Sequence, residues 1–216
     1  MTRFKVCCIA TIEEAQSAVR YGASAIGLVS TMPSGPGPIP EERIARIATT
    51  VPPGVATFLL TSETDADTII AQHRRCRTNA IQLVDSVSAE VYPVLRDALP
   101  GIALIQVVHV VGEESFQEAV RLAPCVDAIL LDSGNPSLPV KELGGTGRRH
   151  DWKISRRIRD AIFPTPVFLA GGLRPDNVSE VIEIVRPYAL DVCSGVRTGD
   201  ALDGEKLAAF VSALES

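Results

Sequence analysis

No stretch of this 216-residue chain approaches the roughly 18 consecutive apolar residues that a membrane-spanning helix needs. A membrane is therefore not an expected partner. Nor is there a basic stripe: the net charge is -5 and both signs are spread along the chain, which leaves no electrostatic footprint for nucleic acid. The five cysteines are odd in number and contain no CxxC pair, so they make no disulfide framework. No long apolar segment precedes the first acidic residues, and a cytoplasmic setting with reduced thiols is expected. His73, His109 and His150 lack the spacing of metal ligands, so no metal is expected. Finally, Cys7-Cys8-Ile9-Ala10 contains no glycine, and the dinucleotide fingerprint of an open doubly wound sheet is missing after the first apolar run.

What the chain does have is alternation. Short apolar runs at 4–9, 25–29, 56–60, 80–84, 103–110, 128–132, 167–170 and 189–193 are separated by segments with apolar residues at three- and four-residue intervals. Those helical segments are 12–21, 41–48, 65–77, 89–99, 114–122, 152–162 and 177–185, with 204–214 closing the chain. Eight strands, each followed by a helix, form a parallel sheet, and the nearly continuous apolar character of several runs means that both sheet faces are buried. A single α/β domain over residues 1–216, a (β/α)8 TIM barrel, satisfies this pattern at the lower end of that fold's length range. The open doubly wound sheet is the competing arrangement.

Three glycine-rich turns punctuate the last third: Gly144-Gly145-Thr146-Gly147, Leu169-Ala170-Gly171-Gly172-Leu173, and Asp191-Val192-Cys193-Ser194-Gly195-Val196. Glycine lets backbone N–H groups approach a ligand, and N–H groups converging at a helix start hold a phosphate dianion. Three such turns in succession predict one phosphate held by several loops, beside a short helical turn over 196–198. Two connections are longer than a β/α unit requires. Residues 30–40, with four prolines and two glycines, and the glycine-rich 133–150 belong on the face where barrel active sites are built. The bland alternative is a pair of disordered surface connections.

Side chains alternate along a strand, so Cys7 shares the barrel-facing side with Lys5, while Cys8 points toward the helices. Asp132 shares its face with Ala128 and Leu130, so Cys7 and Asp132 open toward one cavity from separated strands. A nearby ammonium favours a thiolate at Cys7, whereas an acid role for Asp132 needs a carboxyl kept protonated by burial or by a neighbouring anion. Other readings compete: Cys7 as a small core hydrophobe, Asp132 as a cap for its loop, and Lys5 as the structural partner of Asp191 across neighbouring strands. Cys8, Cys76 and Cys125 read as packing residues, and Cys193 lies close to the phosphate turn.

Lys5-Val6-Cys7, Leu130-Leu131-Asp132-Ser133, Gly144-Gly145-Thr146-Gly147 with Asp151-Trp152, Leu169-Ala170-Gly171-Gly172-Leu173 with Asn177-Val178, and Asp191-Val192 with Ser194-Gly195-Val196 together resemble phosphoribosylanthranilate isomerases of tryptophan biosynthesis, in order and spacing from end to end. The resemblance implies an Amadori rearrangement of an N-(5-phosphoribosyl) aminoaldose into a 1-amino-1-deoxyribulose 5-phosphate, without cofactor or metal. It makes Cys7 the general base and Asp132 the general acid, and assigns the phosphate to Gly145, Gly147, Gly171, Gly172, Ser194 and Gly195. The partner it implies is a small phosphorylated sugar, the assembly a monomer or homodimer. The chemistry agrees: opening a furanose ring needs an acid at the ring oxygen, and moving the C2 proton needs a base on another side of the sugar.

The match departs around the part of the substrate that is not phosphate. Cys8 stands where the family has glycine, and Gly35-Pro36-Gly37 stands where Ser-Pro-Arg offers an arginine to the anthranilate carboxylate. Gln82-Leu83-Val84-Asp85 replaces Gln-Leu-His-Gly, and Arg197 replaces a glutamate. Arg148, Arg149 and Arg197 are the candidate replacement cations, with Arg148 and Arg197 expected at the aglycone. Two further readings follow: a paralogue acting on another phosphorylated aminosugar, and a non-catalytic phosphoribosyl-binding regulatory barrel. Retention of both Cys7 and Asp132 argues against the last, because mere binding needs neither.

Overall fold

The computed structural model describes residues 2–144 and 147–215. Among them, eight parallel strands close into a barrel in chain order: β1 (Arg3–Val6), β2 (Ala25–Val29), β3 (Ala56–Thr61), β4 (Ala80–Leu83), β5 (Ala103–His109), β6 (Ala128–Asp132), β7 (Val167–Leu169) and β8 (Ala189–Val192). The helices between and after them are α1 (Ile12–Arg20), α2 (Glu41–Ala48), α3 (Ala66–Cys76), α4 (Val91–Ala98), α5 (Glu113–Leu122), α6 (Trp152–Ala161), α7 (Val178–Val185) and α8 (Gly204–Leu214). Several start at residues suited to the task. Thr11, Asp65 and Asp203 each accept a hydrogen bond from a backbone N–H of the first turn of α1, α3 and α8, satisfying donors that have no partner within the helix.

The continuous apolar strands follow from two cores. Along β2, Ile26 and Leu28 pack outward with the helices, while Ala25 and Val29 join Phe58, Ile105, Leu130 and Phe168 inside the barrel. β1 closes the ring by pairing with both β2 and β8, which places Lys5 opposite Asp191. No helix is long and apolar enough to cross a membrane among the described residues.

Three local expectations change. β1 ends at Val6 rather than at residue 9, because Cys8 takes a left-handed φ of 61°. Ladder-like bonds continue around it, from Cys7 N–H to Val192 O (2.8 Å) and from Ile9 N–H to Gly27 O (3.0 Å), but strict alternation is broken. Cys8 therefore packs with the barrel-side cluster, not toward the helices. After β8, the expected turn over 196–198 is instead a 3-10 turn at Ser194–Val196, followed by β9 (Arg197–Thr198) paired antiparallel with β10 (Ala201–Leu202). The two long connections are not loose. Ser34 Oγ donates to Lys141 O (2.5 Å), and Lys141 Nζ reaches Asp85 Oδ2 (2.5 Å), so both loops and the end of β4 are tied together over the mouth.

Candidate active site

The C-terminal ends of the strands surround a cavity of roughly 690 Å³, partly open to solvent, within the range of about 300 to 1,000 Å³ suited to a small ligand. Cys7, Asp132 and Asp191 line it together with Gly147, Gly171, Gly172 and Ser194. The two ionisable positions singled out in the sequence thus meet in one space.

On the β1 side, Lys5 is 0% exposed, and its Nζ donates to Asp191 Oδ2 at 2.8 Å. Burial alone lowers the ammonium's pKa, but the Asp191 carboxylate outweighs it and the net shift is upward. The Cys7 thiol is held below its ordinary value, first by a hydrogen bond from the Cys8 thiol and then by the Lys5 charge, with burial opposing both. Room for these side chains comes from Gly27. A Cβ there would lie 2.8 Å from Cys7 Sγ and 3.0 Å from Lys5 Nζ. Sequence reasoning missed Gly27, although a glycine inside a strand signals close approach.

Asp132 ends β6. Its Oδ1 accepts from the Ser133 N–H (2.7 Å), so the capping role is present alongside the cavity-facing one. Its Oδ2 lies only 2.6 Å from where a Cβ on Gly144 would stand, so Gly144 closes directly over the carboxyl.

At the far end the glycine turns of three loops converge. Gly171 and Gly172 have φ of +86° and +64°, and a Cβ on Gly172 would come within 2.9 Å of the Arg148 backbone. Gly147 and Ser194 line the cavity beside them, while Gly195 packs so tightly on the Leu173 carbonyl that no side chain fits. Gly145 and Thr146 lie outside the described residues. His150, behind this wall, bonds Ser155 Oγ through Nε2 (2.8 Å), and burial pushes its pKa down to about 4.

The arginines depart from expectation. Arg197 is 8% exposed, and its guanidinium donates to Glu14 Oε1 (3.1 Å), Asp200 O (2.6 Å) and Cys8 O (2.5 Å). It pins the turn after β1 and lines not the central cavity but the adjoining one bordered by Pro36 and Asp200. Arg148 is exposed and paired with Glu142; Arg149 stacks over Trp152 and pairs with Glu180. Among the described residues no arginine lines the cavity. Gly37 cannot restore one: its φ is +89°, and a Cβ would lie 2.7 Å from Cys8 Cβ. No group of three or more His, Cys, Asp or Glu is arranged to hold a metal among the described residues.

Known proteins share this architecture. The family model of N-(5'phosphoribosyl)anthranilate (PRA) isomerase matches residues 4–213. An N-(5'-phosphoribosyl)anthranilate isomerase from Haloferax volcanii is 37% identical over 100% of this chain and 94% of its own. The crystal structure of phosphoribosyl anthranilate isomerase from Thermotoga maritima superposes with a TM-score of 0.84 at 30% identity, covering 100% of this chain and 99% of the other. A further phosphoribosyl anthranilate isomerase structure, in complex with reduced 1-(o-carboxyphenylamino)-1-deoxyribulose 5-phosphate, gives 0.80 at 29% identity, with 100% and 99% covered. With a family match over nearly its whole length, the chain belongs to the phosphoribosylanthranilate isomerase family.

Proposed function

We propose that this chain is a phosphoribosylanthranilate isomerase of tryptophan biosynthesis, a single-domain cytoplasmic enzyme working as a monomer or homodimer. The observation that carries the reading is the meeting of Cys7 and Asp132 in one cavity whose far end is built from glycine turns. The phosphate sits at Gly147, Gly171, Gly172, Ser194 and Gly195; Gly145, which the family resemblance adds to this set, lies outside the described residues. That leaves the sugar between β1 and β6.

Asp132, as the carboxylic acid, protonates the furanose ring oxygen, and the C1–O bond opens to a protonated Schiff base. Cys7, as thiolate, then removes the C2 proton, and electrons flow to nitrogen to give an enolamine that tautomerises to the ketone. Lys5 keeps a positive charge beside the thiolate without touching the substrate. Among the described residues Asp191 Oδ1 has no hydrogen-bond partner, so it is available to accept from a sugar hydroxyl. The non-catalytic reading is disfavoured, because phosphate binding alone does not require a thiol in the cavity whose pKa is held below its ordinary value beside a buried ammonium.

Turnover of phosphoribosylanthranilate, followed by loss of its fluorescence, tests the proposal. Absence of any turnover in folded protein would rule it out.

A further inference from the structure

Two thiols that the acid–base chemistry does not use stand next to the one it does. Cys8 follows β1, Cys193 follows β8, and their sulfurs are 2.8 Å apart. We propose that Cys8 and Cys193 form a reversible disulfide with a low-molecular-weight disulfide as oxidant, and that the bond switches off the neighbouring Cys7. The switching half rests on the isomerase reading above; the bond itself does not.

The geometry supports both halves. A disulfide bond is about 2.05 Å long, so the sulfurs need to close by less than about 1 Å. Neither residue lies within a regular strand, and Cys8 sits in a left-handed turn. The pair forms the wall between the central cavity and a second cavity bordered by Pro36, Arg43 and Asp200; both cysteines line both spaces. Cys193 is only half-buried, so an oxidant reaches it from outside. All five cysteines are free thiols.

The step balances as ordinary thiol–disulfide exchange. The Cys193 thiolate attacks one sulfur of the oxidant RSSR, and RS⁻ leaves, taking up the proton that Cys193 released. Cys8 passes its proton to Cys7, its neighbour in the chain and in the wall of the central cavity, and its thiolate displaces the second RS⁻ from Cys193. That RS⁻ leaves with the Cys8 proton, and Cys7 returns to its starting form. Two protein thiols and one RSSR become one protein disulfide and two RSH, the oxidant gaining two electrons. Once oxidised, Cys8 carries no thiol proton beside Cys7, and the bond to Cys193 ties the β1 and β8 ends together in the cavity wall that holds Cys7.

The test uses the full chain titrated with oxidised glutathione. Two of the five thiols should disappear, the intact mass should fall by two hydrogens, and peptide mapping should join Cys8 to Cys193. Dithiothreitol should reverse all three. Cys193→Ser should block the cross-link, and Cys125→Ser should not. Turnover should fall by at least about tenfold on oxidation and return on reduction. Five thiols that stay reactive, a cross-link at another pair, or a mixed disulfide that stops at Cys193 would overturn the proposal. A Cys8–Cys193 cross-link with undiminished turnover would overturn the switch. A cross-link in a protein that shows no turnover even when reduced supports the disulfide and counts against the isomerase reading instead.

Discussion

The seam between β1 and β8 and the mouth formed by residues 30–40 and 133–150 are built on opposite terms. In the seam, Lys5, Asp191 and Arg197 are nearly inaccessible, each ion is paired, and backbone bonds run on past the strand ends. At the mouth, Lys141 and Arg148 make ion pairs while remaining about half exposed, and glycine and proline set the path. Charges in water interact weakly, whereas a buried pair is strongly intolerant of losing one member. On the proposed isomerase reading, the seam fixes the chemistry and the mouth is free to vary with the group attached to the sugar.

The comparison breaks hardest at the proposed base and acid. Cys7→Ala and Asp132→Ala should each lower kcat by about 10² to 10⁴-fold or more, while a product analogue still binds nearly normally by calorimetry. Near wild-type turnover in either variant would remove that residue from the mechanism. Next comes the buried pair. Lys5→Met should cost about 3 to 5 kcal/mol in denaturant unfolding, since it strands Asp191 at 7% exposure. Lys5→Met combined with Asp191→Leu should recover much of that loss; additive losses would mean that the two residues are not coupled.

Much of this seam was legible in the sequence. Period-two alternation and barrel closure were enough to face Lys5 toward Asp191, and all eight strands were found because their apolar runs serve two cores. Cys8 was misread because alternation presumes extended backbone; the signal against it was the glycine that the family carries at this position, which suits the φ of 61°. The partners of Arg197 were hidden for a related reason. Its charge suggested a ligand, but its partners are Glu14, distant in sequence, and carbonyls exposed by that same turn. Gly37 looked like an empty place for an arginine only until the loop was seen packed on Cys8.

Smaller effects sharpen the picture. Gly172→Val forces a branched side chain into φ +64° and against the Arg148 backbone, which costs on the order of 1 to 3 kcal/mol and displaces the loop that closes the phosphate end. KM for a phosphorylated substrate should rise more than kcat falls; an unchanged KM would argue that the phosphate binds elsewhere. The pH profile is gentler still. Because Cys7 is held below its ordinary value, the thiolate is present above that lowered value and lost as pH falls through it. The acid limb of kcat/KM should therefore lie below the ordinary thiol value of about 8.5. The same group stabilises the fold fully above about 8.5, and that contribution fades as pH drops toward the lowered value. Cys8→Gly suits the left-handed turn and removes the first donor to Cys7, so the limb should move upward; a stationary limb would show that Cys8 does not support the thiolate.

The smallest expected effect concerns the mouth. With no arginine lining the cavity among the described residues, discrimination between anthranilate and aniline aglycones should fall short of the roughly 10 to 100-fold that a charge-assisted bidentate contact of about 1.5 to 3 kcal/mol supplies. Arg148 is already engaged by Glu142, so Arg148→Ala should leave the ratio of kcat/KM for the two aglycones nearly unchanged. Arg197→Ala should instead lower kcat and stability for both aglycones alike, because it frees the carbonyls of the turn after β1. Steady-state kinetics with both aglycones on the three proteins decides the matter. A strong wild-type preference for the carboxylate that collapses in Arg148→Ala would show that the mouth closes around the substrate and brings that arginine to it.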